Sequence, residues 1–263
     1  METQLSRMDF ALKVLVGFIV GTLIGMTGLG GGVLLLPVLI FGLRVPPILA
    51  VGSDALFNFV TKIGSGWMHI THGTVRNRVV LALAVGSVPG SIVGVSVLVH
   101  LRTLYGDGVN HFITTAIGVL LIVVPLLLLF QKQIEEHVTA RPPTMKSFVG
   151  MSAIGLLAGF LVGMTSVGSG SIIMMLLLLF YSYSPRIMVG TDIVHAVVLT
   201  GVTSLMHFRA GNVDFSLVGA LLAGSIPGAL LGSHLSTVVP IPWLRRMLCT
   251  ILLATGARML LAA

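Results

Sequence analysis

Leu23-Ile24-Gly25-Met26-Thr27-Gly28-Leu29-Gly30-Gly31-Gly32-Val33-Leu34-Leu35-Leu36-Pro37 is the stretch on which the fold turns. It lies inside an apolar run from 11 to 43. As one helix that run would be about 50 Å long, against a bilayer hydrocarbon core of about 30 Å. Glycine is poor in helix interiors and accepts backbone angles closed to other residues. The cluster Gly28, Gly30, Gly31 and Gly32 therefore predicts two half-helices joined by unwound backbone. Within a membrane such backbone survives only when buried in protein or lining a wet cavity. A half-helix that starts at the break aims unpaired N–H groups and a positive dipole end at it, and without bulky side chains an oxyanion can come close. The bland alternative is close helix packing through small residues, with no ligand.

The same pattern returns 138 positions later as Gly163-Met164-Thr165-Ser166-Val167-Gly168-Ser169-Gly170-Ser171. At that offset Val51-Gly52-Ser53-Asp54 falls on Val189-Gly190-Thr191-Asp192, and Met68-His69 on Met206-His207. Gly73 falls on Gly211, and Gly86-Ser87-Val88-Pro89-Gly90 on Gly224-Ser225-Ile226-Pro227-Gly228. Apolar helices match by composition alone, but Gly, Pro, Asp and His in step do not. The sequence reads as two membrane repeats, 1–130 and 147–263, joined by a polar linker at 131–146 that holds Glu135, Glu136, Arg141, Pro142 and Pro143. Duplicated halves are a common plan for secondary transporters, with the site at their interface.

The solvent of this chain is lipid. Of 263 residues 56% are hydrophobic and only 9% charged, with a mean hydropathy of +1.07, whereas soluble domains carry about 25% charged residues. Apolar segments at 11–43, 51–70, 79–101, 111–130, 147–181, 189–208, 216–239 and 243–262 give an all-α integral membrane protein of about eight transmembrane segments, four per half, the first of each half broken by glycine. Arg7 and Lys13 precede the first apolar run as in a signal peptide, but the run continues to Leu43 without a small-residue cleavage site and belongs to the repeat. The net charge of +7 does not indicate nucleic acid, because basic residues stand singly or in pairs between apolar runs, as loop anchors do. Cys249 is the only cysteine, so no intramolecular disulfide forms.

Polar residues line one face of the second segment in each half. Asp54, Asn58, Lys62, Ser65 and His69 follow in steps of three or four, and Asp192, His195, Thr203 and His207 do much the same. Ionisable groups at membrane depth are costly and face a cavity or one another. Asp54 and Asp192 each follow Ser or Thr at an expected helix start, so helix capping competes with a role in coupling. Lys62 lies near mid-segment, where it pairs with Asp54, neutralises an anion, or snorkels. His69 and His207 are expected at the interface. His195 is more interior and a candidate for proton coupling.

Gly28 to Gly32 followed by Pro37, the paired Gly-Ser-Asp and Gly-Thr-Asp, and the Ser-Val-Pro-Gly and Ser-Ile-Pro-Gly turns together resemble the TauE/SafE family over nearly the whole chain. The resemblance implies a transporter of sulfite, sulfonates or related sulfur-containing anions. The second copy differs in placing Ser166, Ser169 and Ser171 where the first has Gly28, Gly31 and Val33. Hydroxyls there could donate to an oxyanion. The expected substrate-binding set is Thr27, Gly28, Gly30, Gly31, Gly32, Asn58, Lys62, Thr165, Ser166, Gly168, Ser169, Gly170 and Ser171, with Asp54, Asp192 and His195 as coupling groups.

The leading expectation is secondary transport of a small anion across the cell membrane, without cofactor, metal or nucleic acid; the sequence leaves homo-oligomerisation open. No P-loop is present, so ATP is not used by this chain alone. A passive anion channel is the alternative, and an intramembrane enzyme a weaker one, since neither a nucleophile elbow nor a His-Glu-x-x-His motif occurs. The favoured reading is eight crossings, which makes the halves parallel and puts nine basic residues against five, with termini and linker in the cytoplasm. Re-entrant first segments would invert the halves and shrink the split to eight against six.

Overall fold

The computed structural model describes residues 2–27, 31–137, 145–170, 173, 185–235 and 241–262; among them every regular element is helical. In chain order these are α1 (Glu2–Thr27), α2 (Gly31–Pro37) extended by a π-helical turn (Val38–Gly42), α3 (Pro47–Thr71), α4 (Asn77–Tyr105), a 3-10 turn (Gly106–Gly108) and α5 (Val109–His137). There follow α6 (Met145–Thr165), α7 (Pro185–Arg209), α8 (Phe215–Leu235) and α9 (Ile241–Ala262). Among the described residues five stretches are long and apolar enough to cross a membrane: Asp9–Met26, Asn77–Leu127, Phe148–Thr165, Arg186–Arg209 and Phe215–Leu235. The second of them spans both α4 and α5. Leu157, Leu230 and Leu261 stand on the outside, as lipid-facing side chains do. The protein is an all-α membrane protein.

Glycine stripes decide which helices touch. Gly17, Gly21 and Gly25 of α1 press on the backbone of Leu221, Ser225 and Ala229 in α8, and Gly224, Gly228 and Gly232 of α8 press back on Val14, Phe18 and Thr22. Gly86, Gly90 and Gly94 of α4 meet Ser152, Leu156 and Phe160 of α6 in the same way, with Gly155, Gly159 and Gly163 answering from α6. A β-carbon at any of these positions would collide with a facing carbonyl. With lipid on the outside there is no hydrophobic drive between helices, so close backbone approach supplies the contact. The two sets of contacts correspond residue for residue at the 138-residue offset.

The registers also fix directions. Numbering rises together along α1 and α8 and along α4 and α6, so those pairs are parallel. It runs oppositely in α3 and α7: Gly52 meets Asn212, Gly66 meets Val197, and Gly190 meets Thr74. Gly118 of α5 meets Met259 of α9, and Cys249 Sγ reaches the Pro125 carbonyl at 3.9 Å, so that pair is antiparallel too. Tight turns at Gly73 and Gly211, where φ is +65° and +69°, reverse the chain into α4 and α8. Only glycine takes that backbone without strain. Therefore α1, α3 and α8 share one direction, and the chain must return between Thr27 and Pro47.

Four sequence expectations change here. The first apolar run is not one broken crossing, because α2 leads back toward the start of α3 through buried Leu34, Leu35, Leu36 and Leu39. Helix α5 continues through 131–137, into the stretch expected as linker. The Pro-Gly motifs are not turns: Pro89 and Pro227 lie inside α4 and α8. Asp54 and Asp192 do not cap helices, since α3 starts at Pro47 and α7 at Pro185, two turns earlier in each case.

Candidate functional site

The polar stripe of α3 faces α7, the start of α2 and the second break. Asp54 and Asn58 are fully buried, and Asn58 organises the first break. Its Nδ2 donates to Asp54 Oδ2 at 2.9 Å and to the Asp54 carbonyl at 3.0 Å, while its Oδ1 accepts the Gly31 N–H at 2.9 Å. The first N–H of α2 is thus used internally rather than left open. Gly32 sits against the second break: a β-carbon there would lie 2.5 Å from the Ser166 carbonyl oxygen and 2.9 Å from Asp54 Oδ2. The start of α2 and the second break meet.

The second break is described over residues 166–170. Ser166 N–H still donates to the Val162 carbonyl at 2.7 Å, ending α6, and Ser166 then takes a left-handed φ of +56°. That angle is unusual for a residue with a β-carbon and costs on the order of 1–3 kcal/mol. Gly168 follows at φ +97°, and the Thr165 hydroxyl accepts the Val167 N–H at 3.3 Å. This backbone aims Ser169 at α3, where its Oγ accepts from Lys62 Nζ at 3.2 Å. Gly170 is half-buried at the end of the described turn.

Around Lys62 the charges are close but not paired. Its ammonium lies within Coulombic reach of both Asp54 and Asp192, yet among the described residues the ion pair formed is Lys13–Asp9. The Ser166 hydroxyl stands beside the Asp54 carboxyl without a formed hydrogen bond. Asp54 Oδ1, Ser166 Oγ, Asp192 Oδ1 and His195 Nδ1 are all buried and unpartnered within the protein. Unsatisfied buried polar atoms are expensive and signal water, an ion or a ligand. The far side of His195 is fixed, with Nε2 2.7 Å from Ser87 Oγ on α4.

Of the expected site residues, Gly31, Gly32, Asp54, Asn58, Lys62, Thr165, Ser166, Gly168 and Ser169 come together, with Asp192 and His195 across from them. Gly28, Gly30 and Ser171 lie outside the described residues, as does the Thr27 side chain. Lys62 does not pair with Asp54 as one reading held; it reaches the second break. His207 is not interfacial: it is fully buried, and its Nε2–H donates to the Gly163 carbonyl at 3.0 Å. Ser87 and Ser91 had not been singled out. Ser91 Oγ pairs with Thr203 Oγ1 at 2.6 Å, so both serines tie α4 to the α7 stripe. Ser87 belongs to the repeated Gly-Ser-x-Pro-Gly motif, whose composition suggests a turn; Ser91 follows that motif, and Ala229 stands at its offset position, so no repeat marks it.

A helical membrane protein with broken segments meeting around buried, unpaired charge is built as a transporter is. The chain belongs to the family described as sulfite exporter TauE/SafE, whose model matches residues 13–259. It is 33% identical over 251 residues to a probable membrane transporter protein, YjnA, of Bacillus subtilis, covering 94% of this chain and 98% of that one. A second B. subtilis relative, the probable membrane transporter protein YunE, is 25% identical over 96% of this chain and 98% of its own. A probable membrane transporter protein of Methanocaldococcus jannaschii, MJ0441, is 25% identical over 95% of each chain. No solved structure matches significantly.

Proposed function

We propose that the protein is a secondary transporter for a small sulfur-containing oxyanion, of the sulfite or sulfonate class, in the cell membrane, and that it works by binding rather than by catalysis. The observation that carries this reading is Lys62, a mid-membrane cation whose described hydrogen bond is to a neutral hydroxyl. Replacing that weak contact with an anion gives the ammonium a charged partner in a low-dielectric site. Ser169 and Ser166 then supply hydroxyls, and Asn58 holds the first break in place.

Two carboxylates next to the same lysine make anion loading unfavourable unless protons or cations load as well. Asp54, Asp192 and His195 are therefore the coupling groups. The halves 1–130 and 147–263 act as repeats of opposite orientation, since equivalent helices α3 and α7 run antiparallel. An in-plane pseudo-twofold of this kind lets one half rock against the other around a fixed midplane site. The working partners are a small anion and the bilayer, not nucleic acid.

Uptake of radiolabelled sulfite into proteoliposomes, with and without an imposed pH gradient, tests this. Uptake driven by the gradient is expected. Transport indifferent to any gradient would mean a passive channel, and no uptake of sulfite or a sulfonate would sink the substrate class.

A further inference from the structure

The α3 stripe does not end at the buried site. One turn beyond Lys62 it opens into a cavity of about 240 Å³ lined by Ser65, Met68, His69, His72, Thr74 and Arg186. That volume is roughly eight liquid-water volumes, room for a small oxyanion and part of its hydration shell. We propose that this mouth is a second oxyanion-binding site, distinct from the one at Lys62 and present on one face of the membrane only.

Hydrogen bonding presets both imidazoles. His72 Nδ1–H donates to the Met68 carbonyl at 2.6 Å. The Thr74 hydroxyl donates to the His69 carbonyl at 3.0 Å, so its oxygen accepts His69 Nδ1–H at 2.8 Å. Each ring is therefore held in place through Nδ1 at the wall of the cavity. Two imidazoles alone would suit a metal, but Arg186 at the start of α7 lines the same cavity and opposes a cation. Among the described residues no carboxylate lines it; the charged and titratable groups there are His69, His72 and Arg186. The guanidinium of Arg186 is a permanent cation with several donors, which is oxyanion chemistry.

The opposite face lacks the same equipment. At the 138-residue offset Ile48 stands for Arg186 and Ala210 for His72, and His207, which corresponds to His69, is buried and bonded to Gly163. A charged mouth on one face raises local anion concentration there and gives transport a preferred side.

Binding of radiolabelled inorganic sulfate to purified protein tests the assignment independently of the Lys62 site. In Lys62→Met, saturable sulfate binding should persist. Adding Arg186→Gln should weaken it at least roughly tenfold, the loss of one charge-assisted contact, and Arg186→Lys should recover part of it. Gel filtration checks that each variant stays folded. The proposal is overturned if Lys62→Met abolishes all sulfate binding, or if Arg186→Gln in that background changes nothing. Binding lost with Arg186→Gln but untouched by Lys62→Met would keep the mouth and sink the central anion site instead. A lipid phosphate offers the same chemistry. Nanodiscs containing phosphatidylglycerol should still bind sulfate; permanent displacement there would assign the mouth to headgroups and overturn a free-anion site.

Discussion

Lys62 Nζ on α3 lies 3.2 Å from Ser169 Oγ in the second break, 107 positions further along the chain. The contact joins a residue of one half to the interrupted segment of the other, and it has no counterpart at the 138-residue offset, where Thr200 and Gly31 stand in their places. Near-equivalent surroundings thus carry a single cation. Among the described residues Lys62 is the cation beside Asp54 and Asp192.

Lys62→Met keeps the length and apolar stem of the side chain and removes the charge. Anion affinity should fall between roughly tenfold and a hundredfold, the range for a hydrogen bond to a charged group. Removing the cation lifts its own desolvation cost but leaves Asp54 and Asp192 without its charge, so the melting temperature should fall somewhat, and affinity is compared per folded protein. Affinity and melting temperature measured on the same sample decide it. Unchanged affinity would mean that the lysine is a bystander.

Ser169→Ala should act more gently. It deletes one neutral hydroxyl that touches Lys62, so affinity should drop by about 1 kcal/mol, or roughly fivefold. Asn58→Ala is structural by contrast. It strands the buried Gly31 N–H and removes the donor to Asp54, each a loss of about 1–3 kcal/mol. Thermal unfolding should detect Asn58→Ala strongly and Ser169→Ala little; the reverse order would show that the first break is not held by Asn58.

The membrane class, the helical composition and the broken segments were legible because apolar run length and clustered glycines depend on local sequence alone. The stripe on α3 was legible for the same reason, since helical spacing places Asp54, Asn58, Lys62 and Ser65 together. Partners were not legible. Lys62 was read against Asp54, its nearest charge in sequence, whereas the fold brings Ser169 closer. His207 looked interfacial by position, but the Gly163 backbone that buries it comes from α6, 44 residues away. Gly-Ser-Val-Pro-Gly suggested a turn by composition, yet Gly86 and Gly90 are needed flat against α6 inside a helix. Packing overrode propensity there.

The glycine stripes offer a test with a built-in control. Gly159 faces the backbone of Ser87, and its β-carbon would overlap the Ser87 carbonyl, whereas nothing lies within 4 Å of Gly219 on α8. Gly159→Val should push α4 and α6 apart and lower the yield of folded protein sharply. Gly219→Val should be nearly silent. Fluorescence size-exclusion profiles of the two variants compare them directly. Equal behaviour would mean that close α4–α6 contact does not support the fold.

Asp54→Asn and Asp192→Asn separate coupling from binding. Asparagine preserves shape and can still bond Asn58, but it cannot carry a proton on and off. Each variant should retain anion binding and counterflow exchange while losing most acceleration by an imposed pH gradient. Full gradient dependence in both would remove these carboxyls from the coupling path.

The helix directions make a prediction about faces of the membrane. The start of α5 lies beside the start of α3, where Asn110 Oδ1 accepts the Ile48 N–H at 3.3 Å, so α5 runs with α3 and α1. The end of α9 returns to that same face, since Arg258 stacks 5.1 Å over the Phe41 ring at the end of the π-helical turn. Both chain ends therefore share one face and the connection between α5 and α6 belongs to the other, which corrects the expectation of parallel halves with ends and linker together. Assigning basic residues by these directions puts Arg76, Arg78, Lys132, Arg141, Lys146, Arg186, Arg245 and Arg246 on the connection face. Arg7, Lys13, Arg44, Arg102, Arg209 and Arg258 fall on the terminal face. Eight against six is a slight positive-inside bias, and it turns the connection, and with it the Arg186 mouth, toward the cytoplasm. Alkaline phosphatase and green fluorescent protein fused after Ala263, or inserted between α5 and α6, read the two faces separately. Phosphatase should be active at the C-terminus and fluorescence should appear at the insertion. The opposite assignment at both sites would reverse only the orientation. Both sites reporting the same face would break the antiparallel relation of α3 to α7, and with it the inverted halves on which the midplane site depends.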